Sequence, residues 1–282
     1  MRFAKLHGAG NDYIYVSGFE TEVADPEALA RRVSDRHFGI GADGLILVLP
    51  PGGKGDVRMR IFNADGSEAE MCGNGVRGVA KFAADRGLVK GETVRVETEA
   101  GLREVTLERD ADGRIVRAGV SMGRPVLDAE HIPVLLEGER VVDVPLEVGG
   151  RTLWMTCVSM GNPHAVFYVD EVEGWPLETV GPKIENHKLF PERVNAHIVE
   201  VVSRGEVRMR TWERGSGLTL ACGTGASAVC VAGALTGRTD RRILAHVPGG
   251  DLQIEWPSDG APVRLVGPIE EVFTGEWPEG DA

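Results

Sequence analysis

The chain has 282 residues, room for one large domain or two of about 140 residues. Its 42% hydrophobic and 26% charged residues are those of an ordinary globular protein, and a net charge of −12 argues against a nucleic-acid or anionic-membrane binder, which needs a basic face. Four cysteines are too sparse for a disulfide scaffold, and there is no CxxC pair of the kind a structural zinc site uses.

The N-terminus, Met1-Arg2-Phe3-Ala4-Lys5, lacks the apolar core of a signal peptide, and no apolar run reaches the ~18 residues of a membrane span. A reducing, cytoplasmic setting is therefore expected. His7 to Asp12 reads as a turn into the strand-like run Tyr13 to Val16. Pro26 to Val33 reads as a helix with Asp25 as its N-cap. Phe38 to Gly44 is a Gly-rich turn feeding a strand over Leu45 to Leu49, and Val57 to Phe62 alternates as another strand. After the turn Asn63 to Ser67 comes Met71-Cys72-Gly73-Asn74-Gly75. It opens a helix whose apolar Val76, Val79, Ala80 and Ala83 recur at helical spacing, with Gly87 as its stop. Val94 to Thr98, Leu102 to Leu107 and Ile115 to Val120 read as strands, and a Pro-rich passage with short strands fills 120 to 150.

The second half echoes the first. Ser159 to His164 is again a Gly-Asn turn running into a strand, Ala165 to Val169. Pro176 to Glu185 reads as a short helix, and Val194 to Val199 and Val207 to Trp212 as strands. Ala221-Cys222-Gly223-Thr224-Gly225 then opens an apolar helix to Thr236, stopped by Gly237, and more strands fill Ile243 to Trp256 and Val263 to Val266. Val57-Arg58-Met59-Arg60 recurs as Val207-Arg208-Met209-Arg210 at an offset of 150, and the two cysteines, their glycines and the helix stops keep that offset. A strand, a cysteine loop and a helix stop in one register predict a duplicated αβ unit. Two such units would present equivalent loops to a shared cleft, where ligand sites are favoured.

Each cysteine precedes a helix, where unpaired N–H groups and the positive end of the helix dipole lie. Such a position lowers a thiol pKa from its reference of about 8.5 and suits the binding of an anion. Two opposed thiols flanking one carbon, one as thiolate and one as thiol, can invert a centre next to a carboxylate. Both cysteine loops also fit the dinucleotide pattern G-x-G-x-x-G/A. Here, however, some ten polar residues separate Phe62 from Gly73, and the strands come in hairpin-like pairs, unlike a nucleotide-binding βαβ unit. Cys157 in an apolar strand and Cys230 on an apolar helix face are read as core residues.

Seven motifs carry a resemblance that runs over essentially the whole chain: His-Gly-x-Gly-Asn-Asp at 7–12, Gly-Ile-Gly-Ala-Asp at 39–43, Phe-Asn-Ala-Asp-Gly-Ser at 62–67, Ser-Met-Gly-Asn-Pro-His at 159–164, Pro-Glu-Arg-Val-Asn at 191–195, and the two cysteine loops, the second preceded by Glu-Arg-Gly at 213–215. In these the sequence resembles the diaminopimelate epimerases, which convert LL-2,6-diaminopimelate to the meso form without pyridoxal phosphate or metal. The resemblance implies an α/β (α+β) fold of two pseudo-symmetric domains, each a mixed barrel-like sheet around a central helix. The expected halves are 1–118 with 268–282, and 119–267, the strand near Glu270 to Thr274 returning to the first half and the active site lying in the cleft between them.

By the same resemblance, Cys72 and Cys222 are the acid/base thiols. Gly73, Asn74, Gly223 and Thr224 bind the reacting α-carboxylate. Asn11, Asn63, Asn162, Asn195 and Arg214 hold the distal amino-acid end, Glu213 contacts the reacting ammonium, and His164 and Glu213 tune the thiols. Family analogy takes Cys222 as the base and Cys72 as the acid in the LL-to-meso direction. His7 and Asp65 are read as loop-structuring. No cofactor or metal, no nucleic acid or membrane, a small-molecule substrate and a homodimer are expected. The family often has Gln where this chain has Gly44, and Glu where it has Leu218. A two-cysteine racemase acting on proline or hydroxyproline is the nearest alternative; proline has no second carboxylate for Arg214 to pair with.

Overall fold

The computed structural model describes residues 1–278; residues 279–282, the end of the expected N-terminal half, lie outside the described residues. The chain divides into two compact units, one formed by Met1–Ser121 with residues 267–278, the other by Met122–Val266.

The first unit opens with a hairpin of β1 (Arg2–Gly8) and β2 (Asn11–Ser17), closed by Ala9 at φ 52° and Gly10 at φ 82°. Left-handed geometry at both central residues is that of a type I′ turn, whose twist matches the flanking strands. α1 (Pro26–Ser34) starts as expected: the Asp25 carboxylate accepts the Ala28 N–H at 2.9 Å, and Pro26 takes the first helical position. β3 (Gly44–Leu49) runs parallel to β2 and antiparallel to β4 (Val57–Asn63). A two-residue strand, β5 (Glu68–Ala69), pairs with β4 just after the expected turn; it is too short for any periodicity to show.

α2 (Gly73–Asp85) follows, and Gly87 ends it at φ 69°. β6 (Thr93–Thr98) lies parallel to β4, and β7 (Gly101–Arg109) and β8 (Ile115–Gly123) continue antiparallel from it. Every α2 residue from Asn74 to Ala83 is buried, and the helix packs against β1, β2, β3, β4, β6 and β7. The apolar spacing of Val76, Val79, Ala80 and Ala83 does not mark off an exposed face, because Arg77 and Lys81 between them are buried too. The small residues of α2 serve to admit the surrounding strands: a Cβ on Gly78 would overlap the Tyr15 hydroxyl, which donates to Gly75 O at 3.2 Å.

The second unit repeats this order. After a one-turn 3-10 helix at Ala129–His131, β9 (Val144–Val148) pairs antiparallel with β10 (Arg151–Ser159), and β10 with β11 (Pro163–Tyr168). α3 (Leu177–Glu185) precedes β12 (Asn195–Ser203), which is parallel to β11 and antiparallel to β13 (Glu206–Glu213). β14 (Gly217–Thr219) is the counterpart of β5. α4 (Gly223–Leu235) has the same length as α2, 13 residues, and is buried from Gly225 to Gly233. β15 (Arg242–Val247) is parallel to β13, and β16 (Gly250–Glu255) and β17 (Val263–Pro268) follow antiparallel. The last strand, β18 (Glu270–Glu276), pairs antiparallel with β1, as the resemblance implies. The two parallel pairs fall at equivalent places in each unit, and their register repeats: Tyr13 faces Gly44 and His164 faces Asn195.

Gly78→Ala is expected to lower stability despite the better helix propensity of alanine. The propensity gain is about 1 kcal/mol, against about 1–3 kcal/mol for overpacking a closed core. Denaturant unfolding checks it; a midpoint equal to or above that of the wild type would show that Tyr15 yields without loss.

Candidate active site

Cys72 is the N-cap of α2, in extended conformation, and its Sγ accepts the Gly75 N–H at 3.4 Å. Tyr13 Oη donates to the same sulfur at 3.8 Å, and Cys72 Sγ donates to Asn11 Oδ1 at 3.6 Å. Burial, with Cys72 nearby, holds the Tyr13 phenol far above its usual pKa, so Tyr13 acts here as a donor. Asn11 is fixed from both ends. Its Nδ2 donates to Asp43 Oδ2 at 2.7 Å, and its Oδ1 accepts from Asn74 Nδ2 at 3.3 Å. Asn74 Oδ1 in turn accepts from the buried Arg77 guanidinium at 2.6 Å.

Below this lies Asp12, between Arg36 at 2.7 Å and Lys5 at 2.9 Å. Burial alone would raise its carboxyl, but the two cations outweigh burial and hold it below the usual range. Asn11, Cys72, Gly73 and Asn74 thus form one cluster at the N-terminus of α2. Asn63 Nδ2 goes to Ser67 Oγ at 2.9 Å. Asp65 structures that turn by accepting from both the N–H and the hydroxyl of Ser67. Gly44 leaves no room for the glutamine the family often carries, because a Cβ there would collide with the Phe62 carbonyl across the β3–β4 ladder.

Cys222 is the N-cap of α4 and is buried, and its Sγ lies 3.5 Å from Thr224 Oγ1. Helix position alone predicts a lowered thiol pKa. The structure reverses this: burial pushes the Cys222 thiol far up, and the Glu213 carboxylate beside it pushes further in the same direction. Glu213 is oriented by Thr219 Oγ1, which donates to its Oε1 at 2.7 Å. The Glu213 carboxylate therefore favours the protonated form of Cys222.

The remaining expected residues of this unit form two chains. Asn195 is buried; its Oδ1 accepts the Arg214 N–H at 2.9 Å and its Nδ2 donates to Pro163 O at 2.8 Å. It fixes the backbone of Arg214, whose guanidinium donates to Glu192 O at 2.9 Å. Leu218, where the family often has Glu, is exposed. His164 Nε2 stands 2.9 Å from Asn162 Oδ1 and its Nδ1 2.9 Å from His197 Nε2, while His197 Nδ1 is 2.9 Å from Thr211 Oγ1. Both rings are fully buried. Burial, the neighbouring ring and the Arg214 charge hold His164 well below its usual pKa, and burial lowers His197 to about 3.

Tyr13, Arg77, His197 and Thr211 are not singled out by the sequence motifs. The repeat register contains a signal for three of them. Carried across the matching strand pairs, Tyr13, Ile46 and Ile61 of the first unit correspond to His164, His197 and Thr211 of the second. A Cβ on Gly75 would press on Ile46, and one on Gly225 on the His197 ring. The same layer behind the cysteine helix is thus aliphatic apart from Tyr13 in one unit and polar in the other. Cys157 and Cys230 are buried, as expected of core residues. A surface pocket of the first unit, lined by Phe82 and Arg86 among others, sits at the far end of α2, about 20 Å along the helix from Cys72. Among the described residues no three His, Cys, Asp or Glu side chains group as metal ligands, and no helix is long and apolar enough to cross a membrane.

Two outcomes follow from these shifts. Glu213→Gln removes a negative charge beside Cys222 and is expected to lower the pH at which Cys222 is alkylated, read by mass spectrometry of the peptide; an unmoved or raised midpoint would contradict the assignment. The unfolded chain binds protons at its histidines near pH 6.5, while the folded His164 and His197 stay neutral. Their contribution is therefore complete above about pH 6.5 and is lost as pH falls below it, by up to about 1.4 kcal/mol per pH unit for each ring. His197→Ile, which copies Ile46 of the first unit, should flatten the decline of unfolding free energy between pH 6.5 and 5. Parallel curves for variant and wild type would count against it.

The family model described as "Diaminopimelate epimerase" matches residues 3–127 and 156–271. A diaminopimelate epimerase of Acetivibrio thermocellus is 52% identical over 278 residues, covering 98% of each chain, and one of Moorella thermoacetica is 52% identical over 279 residues, covering 99% of each. Among solved structures, a probable proline racemase of Agrobacterium radiobacter superposes with a TM-score of 0.68 over 99% of this chain and 93% of its own; at 17% identity this likeness concerns the fold alone. With the family model covering most of its length and both relatives identical at half of their positions from end to end, this chain belongs to the diaminopimelate epimerase family.

Proposed function

We propose that this chain is an isomerase that epimerises LL-2,6-diaminopimelate to the meso form, with Cys72 and Cys222 as its two acid/base groups. The activity rests on the family and on relatives of that name at 52% identity along the whole chain. The assignment of the thiols rests on one observation: each is the N-cap of the buried central helix of its unit, at equivalent positions of a repeated fold.

In this reading one sulfur, as thiolate, takes the α-proton from one face of the carbon. The other, as thiol, gives its proton to the opposite face, so that one proton is taken up and one delivered per inversion. The reading requires both sulfurs to reach the same carbon. Gly73, Asn74, Gly223 and Thr224 offer main-chain N–H groups at two helix N-termini to the α-carboxylate, and Asn11, Asn63, Asn162, Asn195 and Arg214 serve the distal end. Proton transfer by a positioned group contributes about 10²–10⁴-fold. So weak a carbon acid needs more, and each donor aimed at the developing carbanionic carboxylate is worth about 10²–10³-fold.

Burial and Glu213 favour the protonated form of Cys222 in the free protein. This supports Cys222 as the proton donor of the first turnover, where family analogy makes it the base. The proline alternative gains nothing from the likeness to a proline racemase, which extends only to the fold. A cytoplasmic homodimer belongs to the same reading. All four cysteines are free thiols, which fits a reducing compartment.

The test is incubation of the reduced protein with LL-diaminopimelate in D₂O, following α-deuterium by NMR. Wild type should exchange and epimerise, and should leave proline unchanged. Cys72→Ala and Cys222→Ala should each lose epimerisation by at least about 10²–10⁴-fold. Undiminished turnover in Cys222→Ala would sink the two-base assignment.

A further inference from the structure

The Thr211–His197–His164 chain holds two residues, His197 and Thr211, to which the acid/base chemistry of the cysteines gives no role. It is continuous, with three contacts of 2.9 Å ending on Asn162 Oδ1, and both rings have no exposed surface. Burial keeps both imidazoles neutral, so each carries one ring proton. The bond between the rings uses one of these protons, and this makes the direction of the whole chain all-or-none. If His197 Nε2–H donates to His164 Nδ1, then His197 Nδ1 must accept the Thr211 hydroxyl proton and His164 Nε2–H must donate to Asn162 Oδ1. In the opposite direction Asn162 would give its NH₂ to the ring and present its carbonyl outward.

Two observations select the first direction. Asn162 Oδ1 is the atom standing against His164 Nε2, and Asn162 Nδ2 donates to nothing among the described residues. Arg214 lies near enough for its positive charge to act on His164. A ligand group received beside a guanidinium is an anion, and an outward NH₂ complements it where a carbonyl would repel it. The first unit shows that the fold itself does not demand this chain, since Ile46 and Ile61 fill the equivalent places of His197 and Thr211.

We propose that Thr211 and His197 are positioning residues: through His164 they lock the amide of Asn162 with its NH₂ outward, so that this position accepts the distal carboxylate of the substrate and rejects an ammonium or an uncharged end. The proposal rests on the reading of Asn162 as a contact of the distal amino-acid end.

Two measurements test it. ¹⁵N NMR of the histidine-labelled full chain at pH 7.5 needs no substrate, and should find His164 and His197 both as Nε2–H tautomers; an Nδ1–H tautomer at either overturns the proposal. Steady-state kinetics on Thr211→Val and His197→Ile should show KM for LL-diaminopimelate raised about tenfold with kcat within about threefold, while inhibition by lysine, which lacks the distal carboxylate, is unchanged. Thr211→Ser should restore KM. His197→Ile keeps the test open should Thr211→Val fail to fold, because isoleucine already occupies the matching place against Gly75. Wild-type KM in a folded Thr211→Val or His197→Ile also overturns it. A wild type inactive on diaminopimelate would refute the proposed function, and the tautomers would then decide the relay alone.

Discussion

A helix enclosed by its own sheet must dispose of the free N–H groups of its first turn without help from bulk water, and much of this structure answers that constraint. α2 and α4 are buried almost throughout, so their N-termini are the points where unpaired donors and the positive end of a dipole meet the edge of the fold. Cys72 accepts one of these donors, from Gly75. At α4 the Gly225 N–H acts on the Cys222 sulfur without closing a full cap hydrogen bond. Sulfur is a poor acceptor, and a cysteine N-cap leaves a helix end short of partners. Such an end is a place for a ligand's carboxylate.

The two ends are built alike and surrounded differently. Around Cys72 stand the Tyr13 hydroxyl, the Asn11 and Asn74 amides and, behind them, buried Arg77. Beside Cys222 stands a carboxylate, Glu213. In water these differences would be screened. Beside the buried Cys222 thiol the Glu213 charge acts with little screening and favours the protonated sulfur. A two-base inversion needs one proton between two sulfurs, and two halves descended from one unit can supply that inequality only through such neighbours. The contrast between the Tyr13, Ile46, Ile61 layer and its His164, His197, Thr211 counterpart is the same divergence one layer deeper.

Much of the fold is legible in the sequence because the signals are local. Asp25-Pro26 announces the start of α1, Gly87 and Gly237 the ends of the long helices, and the 150-residue register the repeat. β5 and β14 are not legible, since strands of two and three residues have no period and exist only because β4 and β13 lie alongside. Motifs place the site residues, but a motif cannot say what their side chains touch. The resemblance implies that Asn195 holds the distal end of the ligand; the structure adds that its amide bonds the Arg214 and Pro163 backbone. It implies that His164 tunes a thiol; the structure adds that its ring nitrogens stand against Asn162 and His197.

The sequence by itself determined the duplication, the family, and the placing of both cysteines at helix starts. Each depends on residue types at fixed spacing along the chain, and spacing survives without coordinates. The tertiary structure alone decided the ionisation of Cys222 and the exclusion of any side chain at Gly44. It also decided the partners of the asparagines and the relay through His197 and Thr211. Desolvation, the approach of a charge and the direction of a buried hydrogen bond are set by atoms that come from distant parts of the sequence. His197 and Gly225 lie 28 positions apart, and only folding presses the ring of one against the backbone of the other.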